Sequence, residues 1–377
     1  MTALTHLGLV HPVSRRPLWS DTTHSLTDGT DRFPVVAGIA YLRCERSALS
    51  ERVLTALDTG DGTQALILLL QDQDGWAPDA PPTADAVRKI LTDKPSFRDA
   101  MRLLNFGPVA DYFAHRWSAP TFLSALGLIG AYAPLNRPLV DLACGTGQVL
   151  REFALRGGEA IGVDQVFAKL WLGRRYLGLT DLICADAESL PLAESTESRS
   201  VLCHDALYFL NDAAKIAAIA RMQDAAGPQG VVLLGHCHLK DHAHAGMRAH
   251  PLSLADWQAL LPGATCYDDA ALTWRFVSRG AVPLTPHEGG LVAAITLARG
   301  AALSDPVPFW DPVGTLTPNP LLVPHDAGLR PCWPSPDFAR EYADATYLCV
   351  DDAAAAQIQP EAVRFAQRTL LPLPETW

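Results

Sequence analysis

None of the eight cysteines (Cys44, Cys144, Cys184, Cys203, Cys237, Cys266, Cys332, Cys349) stands in a C-x-x-C pair. The sequence therefore offers no thiolate metal knuckle and no dithiol redox motif, and the scatter suits a reducing compartment. Runs of lysine and arginine are missing too, and a formal net charge of -11 argues against nucleic acid as a partner. The longest apolar stretches fall far short of the roughly 20 residues that span a bilayer. The amino terminus has no basic segment followed by an apolar run. These absences predict a cytoplasmic protein with no membrane partner. Internal repeats are absent as well, so the 377 residues read as one central domain with additions at both ends.

The most informative stretch is Arg137 to Gly147, Arg-Pro-Leu-Val-Asp-Leu-Ala-Cys-Gly-Thr-Gly. Leu139, Val140 and Leu142 predict a parallel strand covered on both faces. Gly145 and Gly147 then permit a tight turn and close backbone approach to a ligand. A helix from Gln148 to Arg156 follows, ended by Gly157-Gly158. The next strand, Glu159 to Asp164, ends in a carboxylate about 20 residues past the turn, where a ribose diol is held in such folds. A helix over Val166 to Leu177 leads to a third strand over 182–187, with Asp186 and Ala187 placed to accept an adenine amine and donate to a ring nitrogen. Ser200 to His204 is a fourth strand, Asp212 to Ala226 a helix, and Gly230 to Gly235 a fifth strand. Strands alternating with helices predict an α/β fold with a doubly wound parallel sheet. Residues 264–300, with Leu291 to Leu297 as a buried strand, should complete it.

Asp141-Leu-Ala-Cys-Gly-Thr-Gly147, Asp164, Asp186-Ala187 with Leu190-Pro191-Leu192 behind them, and Cys203-His204-Asp205-Ala-Leu together resemble the ordered motifs of the class I S-adenosylmethionine-dependent methyltransferases. The resemblance spans roughly residues 135–240. It implies a Rossmann-like, mostly parallel seven-stranded sheet and S-adenosyl-L-methionine as cofactor. It further implies cofactor contacts from Asp141, Ala143, Gly145, Gly147, Asp164, Gln165, Asp186 and Ala187, with His204 beside the sulfonium. A dinucleotide is the competing ligand, but its G-x-G-x-x-G fingerprint would need glycine where Leu150 stands.

Upstream, Phe33-Pro-Val-Val-Ala-Gly-Ile-Ala-Tyr-Leu resembles a segment of small zinc-ribbon domains related to the methyltransferase activator Trm112. Those domains begin with a C-P-x-C knuckle, and here the matching place reads Val10-His11-Pro12-Val13. No cysteine precedes Cys44, so four thiolates cannot be assembled and at best a metal-free relic is expected. Ala77 to Thr83 reads as a linker. Tyr112-Phe113-Ala-His115-Arg116-Trp117 precedes the glycine turn, and Arg116 is placed to pair with the donor's carboxylate. The expected organisation is a small amino-terminal domain (1–80), a helical cap over the cofactor (81–134), the core (135–300) and a carboxy-terminal extension (301–377). In the extension, Phe309, Trp310, Trp333, Tyr342 and Tyr347 suggest a cap or a dimer surface.

After the fifth strand the histidines bunch as H-x-H-x3-H-x-H over His236, His238, His242 and His244, with His250 beyond. Imidazoles so spaced can bind a metal, but the reading taken is that none is bound and that the segment lies at the acceptor edge. A helix capped by Ser253 follows. The expected function is methyl transfer to a small-molecule acceptor. His204, His236 and His238 are the candidate bases, and Asp205 and Tyr208 the residues that orient the acceptor. A noncatalytic methyltransferase-like binding module and an NAD-dependent oxidoreductase are the alternatives. The acid set Asp141, Asp164 and Asp186 speaks against the first, and Leu150 against the second.

Overall fold

The computed structural model describes residues 4–73, 80–105, 115–242, 249–326, 328–351 and 359–377. Its centre is five parallel strands: β5 (Leu139–Leu142), β6 (Ala160–Asp164), β7 (Asp181–Cys184), β8 (Ser200–His204) and β9 (Val231–His238). They lie in the spatial order β7-β6-β5-β8-β9. The chain therefore runs outward from β5 through β6 to β7, then crosses back to lay β8 on β5's other side. A crevice opens where the winding reverses, at the carboxyl ends of β5 and β8, and that is where such sheets bind ligands.

Two further strands, β10 (Thr265–Asp268) and β11 (Ala294–Arg299), close one edge, with β11 antiparallel to both β9 and β10. The expected strand over Leu291 to Leu297 begins three residues late, because Leu291 is 85% exposed and outside the core. The third strand stops at Cys184, which puts Asp186 in the loop beyond it.

The expected count of seven strands requires correction. The sheet has eleven, because β1 (Trp19–Thr22), β2 (Ser25–Thr27), β3 (Arg32–Val36) and β4 (Ile39–Tyr41) continue it past β7. β4 pairs in parallel with β7, Ala40 opposite Ile183 and Tyr41 opposite Cys184. "Mostly parallel" is corrected with it, since β1 to β4 form an antiparallel meander and the sheet is evenly mixed. The physical reason is the exposed edge that β7 would otherwise present; β4 satisfies its backbone groups, and Leu42 N–H adds a hydrogen bond to Cys184 O at 2.7 Å.

Side-chain alternation along the strands divides the core between the two faces. Leu202 and Leu233 join one cluster, while Val201, Cys203, Val232 and Leu234 join the other. The first face is covered by α1 (Ser47–Asp58), α2 (Gly62–Gln71), α3 (Ala84–Asp93), α4 (Phe97–Leu103), α5 (Pro120–Tyr132), α6 (Gln148–Ala154) and α7 (Phe167–Leu177). On the other lie α8 (Asp212–Ala226), whose Ala218, Ile219 and Met222 are buried, and α9 (Leu254–Leu260), whose Trp257 is fully buried. Helix α10 (Asp269–Val277) packs on α5, both in the first cluster.

The carboxy-terminal residues fold back onto that first face. Trp310, Tyr342, Tyr347, Phe365 and Leu371 belong to its core, with Phe309 and Trp333 packed against it. Two short helices lie there, α11 (Pro336–Glu341) and α12 (Glu361–Ala366). Trp377 meets Phe97 and Trp117 at ring distances of 5.9 and 5.4 Å. These aromatics pack within the chain.

Ile39 on β4 is fully buried in the first-face core. Ile39→Ala is expected to lower stability by about 2–5 kcal/mol. Urea denaturation followed at core tryptophans checks it, and an unchanged midpoint would mean that β4 contributes little to the fold.

Candidate functional site

A cavity of about 600 Å³ opens at the crevice between the carboxyl ends of β5 and β8, a size typical of small-molecule sites. Its floor is the glycine turn. Ala143, Gly145 and Gly147 all take left-handed backbone angles, with φ of 62°, 61° and 83°. At Gly147 a side chain is barred by space as well, because a Cβ would stand 2.2 Å from Leu179. The turn is tied to β6 through Asp164. One oxygen of Asp164 accepts the Gly145 N–H at 2.9 Å, and the other accepts the Val166 N–H at 2.8 Å ahead of α7. Asp164 thus does both jobs open to it, capping α7's approach and lining the cavity. Lys169 Nζ lies 4.0 Å from the same carboxylate. Burial lowers the Lys169 pKa, with Asp164 opposing. Asp141, also on the cavity wall, is raised well above the ordinary carboxylate value by burial and by Asp164.

Of the residues expected at the cofactor, Arg116, Asp141, Ala143, Gly145, Asp164, Gln165, Ala187 and His204 line this cavity. Asp186 turns elsewhere. Its carboxylate meets Arg43 Nη2 at 3.0 Å, and the same guanidinium reaches Glu45 at 2.5 Å and the Gln165 carbonyl at 3.1 Å. Burial first, then a hydrogen bond that the protonated carboxyl makes to Glu45, push Asp186 up to about 7, against the pull of Arg43. Arg43 and Glu45 follow directly on β4, so the amino-terminal meander delivers them to this end of the cavity.

At the other end, Asp205 follows β8 with a left-handed φ of 57°. Arg116 Nη2 meets Asp205 Oδ2 at 2.5 Å and Tyr208 donates to Oδ1 at 2.9 Å. Burial would raise the Asp205 pKa, but Arg116, His236 and His204 outweigh it and hold the group below the usual range. His236 is also left-handed (φ 53°) and lies at the irregularity where β9 slips against β11. Bulges of this kind re-aim side chains beside active sites. Its Nδ1 bonds Asp269 at 2.8 Å, and Asp269 in turn accepts from Thr296 at 2.9 Å. Nε2 of His236 faces Asp205 Oδ1 at 4.0 Å and is buried without a hydrogen-bond partner among the described residues. Burial opposes protonation of His236, but Asp269 and then Asp205 raise it to about 8.

His238 lies on the same strand with its ring 4.6 Å from that of His236 and 4.4 Å from that of Tyr208. His204 is different. Its Nε2 lies 2.6 Å from the Thr121 carbonyl, and burial lowers its pKa to about 4, so the ring is neutral. The bunched histidines do not gather as a set of four: His250 is exposed, while His244, the side chain of His242, and Tyr112 and Phe113 lie outside the described residues.

Sequence reasoning missed Lys169, Asp269, Phe338 and Glu341. Phe338 and Glu341 come from α11 in the extension and complete the cavity wall. Burial and then Asp205 raise the Glu341 pKa.

Residues 139–230 match the family model described as "Methyltransferase domain". The match begins at β5 and contains the glycine turn, Asp164, Asp186 and the segment from His204 to Tyr208. No curated relative matches the chain. Among solved structures, the MccD protein is 18% identical over 38% of this chain and 73% of its own, with a TM-score of 0.33. A possible histamine N-methyltransferase from Thermotoga maritima is 17% identical over 50% and 91%, with a TM-score of 0.35. CalS10 from Micromonospora echinaspora, an amino pentose methyltransferase solved with S-adenosylmethionine bound, is 27% identical over 34% and 53%, with a TM-score of 0.28. The chain carries a class I S-adenosylmethionine-dependent methyltransferase domain, a transferase whose cofactor is S-adenosylmethionine. No helix among the described residues is long and apolar enough to cross a membrane.

A histidine whose folded pKa is raised contributes stability below its ordinary value of 6.5 and loses it as pH rises through about 8. Asp269→Asn should bring the His236 midpoint, followed by NMR, down to 6.5 or below. It should also remove a fall in stability on the order of 1–2 kcal/mol between pH 6.5 and 8. An unmoved midpoint would show that Asp269 does not hold the imidazolium.

Proposed function

We propose that this chain transfers the methyl group of S-adenosylmethionine to a small-molecule acceptor. The observation that carries this reading is the continuity of the cavity: Asp164 and the glycine turn lie at one end, and Asp205, Tyr208, Phe209, Phe338 and Glu341 at the other. The donor end fits the cofactor chemically. The Asp164 carboxylate keeps free lone pairs for a ribose diol, and the turn of Asp141, Ala143, Gly145 and Gly147 admits a ligand close to the backbone. Gln165 and Ala187 form the nucleoside side, with Asp186 held away by Arg43.

When bound, the cofactor supplies an electrophilic methyl group. The protein's part is to align the acceptor, exclude water and accept the acceptor's proton. Neutral His204 forms wall beside the transfer point. Asp205 and Tyr208 orient the acceptor, Arg116 holds Asp205 and stands ready for a carboxylate, and His236 with His238 lies on the path a released proton would take. Phe338 and Glu341 close the acceptor end, which favours a small ligand over a macromolecule.

Thermal shift and calorimetry with S-adenosylmethionine, S-adenosylhomocysteine and NAD test the donor site. Ligand at about 100 times its Kd adds about 2.7 kcal/mol of stability, which the two sulfur nucleosides should supply and NAD should not. Asp164→Ala is expected to weaken their binding on the order of 10–100-fold, the loss of a hydrogen-bonded charged partner. Stabilisation by NAD alone would sink the methyltransferase reading in favour of an oxidoreductase. Methyl incorporation from labelled cofactor during an acceptor screen separates an enzyme from a module that only binds the nucleoside.

A further inference from the structure

Asp205, His236 and His238 each present a ligand atom, and those atoms all lie within 4.8 Å of one another. We infer that they form a divalent-metal site beside the acceptor end of the cavity, which Asp205 alone of the three lines. As far as it concerns the acceptor, the inference rests on the methyl-transfer reading; the site itself does not.

Four features separate this cluster from a chance grouping. His236 and His238 are two apart on β9, and with His236 left-handed at the strand's irregularity their rings stand 4.6 Å apart. The Nε2 of His236 is buried with its bonding capacity unused among the described residues, and an unpaired buried polar atom costs about 1–3 kcal/mol. The opposite nitrogen of that ring is fixed by Asp269, itself fixed by Thr296. This carboxylate–histidine pairing is the outer shell that sets tautomer and basicity in metal sites. Finally, both Asp205 and His236 hold left-handed backbone angles that ordinary residues avoid, and such strain concentrates where side chains must be aimed.

Arg116 occupies Oδ2 of Asp205 and leaves Oδ1 directed at His236. Tyr208 donates to Oδ1, which keeps a second lone pair. Asp269 places a second carboxylate beside the cluster.

A second grouping, His11 with Asp28 and Asp31, lacks these properties. There, His11 Nδ1 accepts N–H groups from Val13 and Ser14, Nε2 bonds Asp31 at 3.0 Å, and Arg16 stands 2.8 Å from Asp28. Both ring nitrogens of His11 are thus bonded, whereas Nε2 of His236 has no hydrogen-bond partner among the described residues.

Two imidazoles and one carboxylate suit zinc, iron, cobalt, nickel or manganese better than magnesium or calcium. Three protein ligands leave coordination positions open, and Asp205 is on the cavity wall. The acceptor class that fits is a compound whose hydroxyl oxygen ligates the metal. Coordination lowers the pKa of a bound hydroxyl, so its proton leaves to solvent as the acceptor binds, before the methyl group is transferred, and in the metal-loaded protein His236 and His238 serve as ligands in place of a proton path.

The test is titration of the full chain, freed of metal with a chelator, with Co²⁺, followed by its visible d–d absorption and by calorimetry with Zn²⁺. One equivalent should bind with a spectrum distinct from that of the aquo ion. His238→Ala and Asp205→Asn should abolish it, and Asp269→Asn should weaken it roughly 10–100-fold. His11→Ala should leave it unchanged. His238→Gln replaces the alanine variant if that one fails to fold, judged by circular dichroism. An aquo-ion spectrum at saturating Co²⁺, or binding lost in His11→Ala and kept in His238→Ala, overturns the proposal. S-adenosylmethionine binding measured on the same chelated protein keeps the two questions apart: cofactor binding without Co²⁺ binding defeats the metal site alone, and the reverse defeats the methyltransferase reading alone.

Discussion

The Asp164 carboxylate is the joint on which the cleft depends. One oxygen takes the N–H of Gly145 and the other that of Val166, so a single buried side chain sets both the turn after β5 and the entry into α7. Hydrogen bonds to a charged group contribute about 1.5–3 kcal/mol each. The turn's three left-handed residues need such an anchor, because Ala143 carries a Cβ into a backbone region that glycine tolerates better. Burial lowers the Lys169 pKa and raises that of Asp141, and the same carboxylate opposes the first shift and adds to the second. This end of the cavity is therefore shaped before any ligand arrives.

The parallel centre of the sheet was readable because its strands are buried on both faces and announce themselves as short apolar runs. β5 to β9 fall where those runs lie, and α8 spans Asp212 to Ala226 as its pattern indicates. β1 to β4 were not readable as sheet. β1 alternates exposed and half-buried positions, and β4 is three residues long, so neither carries a local signal beyond a hairpin. Their place follows from pairing β4 with β7, a contact between residues far apart in sequence, which no periodicity reveals.

The candidate site divides in the same way. Asp164, Asp205 and the histidines sit at strand ends, where the order of motifs points to them. Asp269 is adjacent to Asp268, and two acids before a helix read as caps. Asp268 does cap α10, accepting the Ala270 N–H, which leaves Asp269 to turn inward to His236. Phe338 and Glu341 come from a six-residue helix at the far end of the chain, and only the return of the extension over the first face brings them to the cavity. Asp186 was legible as an acid after the third strand but not as the partner of Arg43, because that partner arrives from the amino-terminal meander.

Charge at the two ends of the cavity follows opposite rules, and the difference bears on what each end can do. At the Asp186 end, two acids and one arginine crowd together, and burial with Glu45 raises the Asp186 carboxyl to about 7 against Arg43. The acceptor end has Asp205 and Asp269 ionised with Arg116 and His236 between them, and the acids there are held down rather than raised. At that end His236, raised to about 8, already holds its proton at neutral pH, whereas His204, only one residue before Asp205, is kept neutral by burial and by the nearby positive charges of His236 and Arg116. Two histidines whose rings lie 6.0 Å apart thus hold different protonation states at neutral pH. The asymmetry comes from Asp269, which reaches one ring by a hydrogen bond and the other only through space. The positive charge of this histidine pair therefore sits on the His236 side, and the His204 wall of the cavity is uncharged at neutral pH.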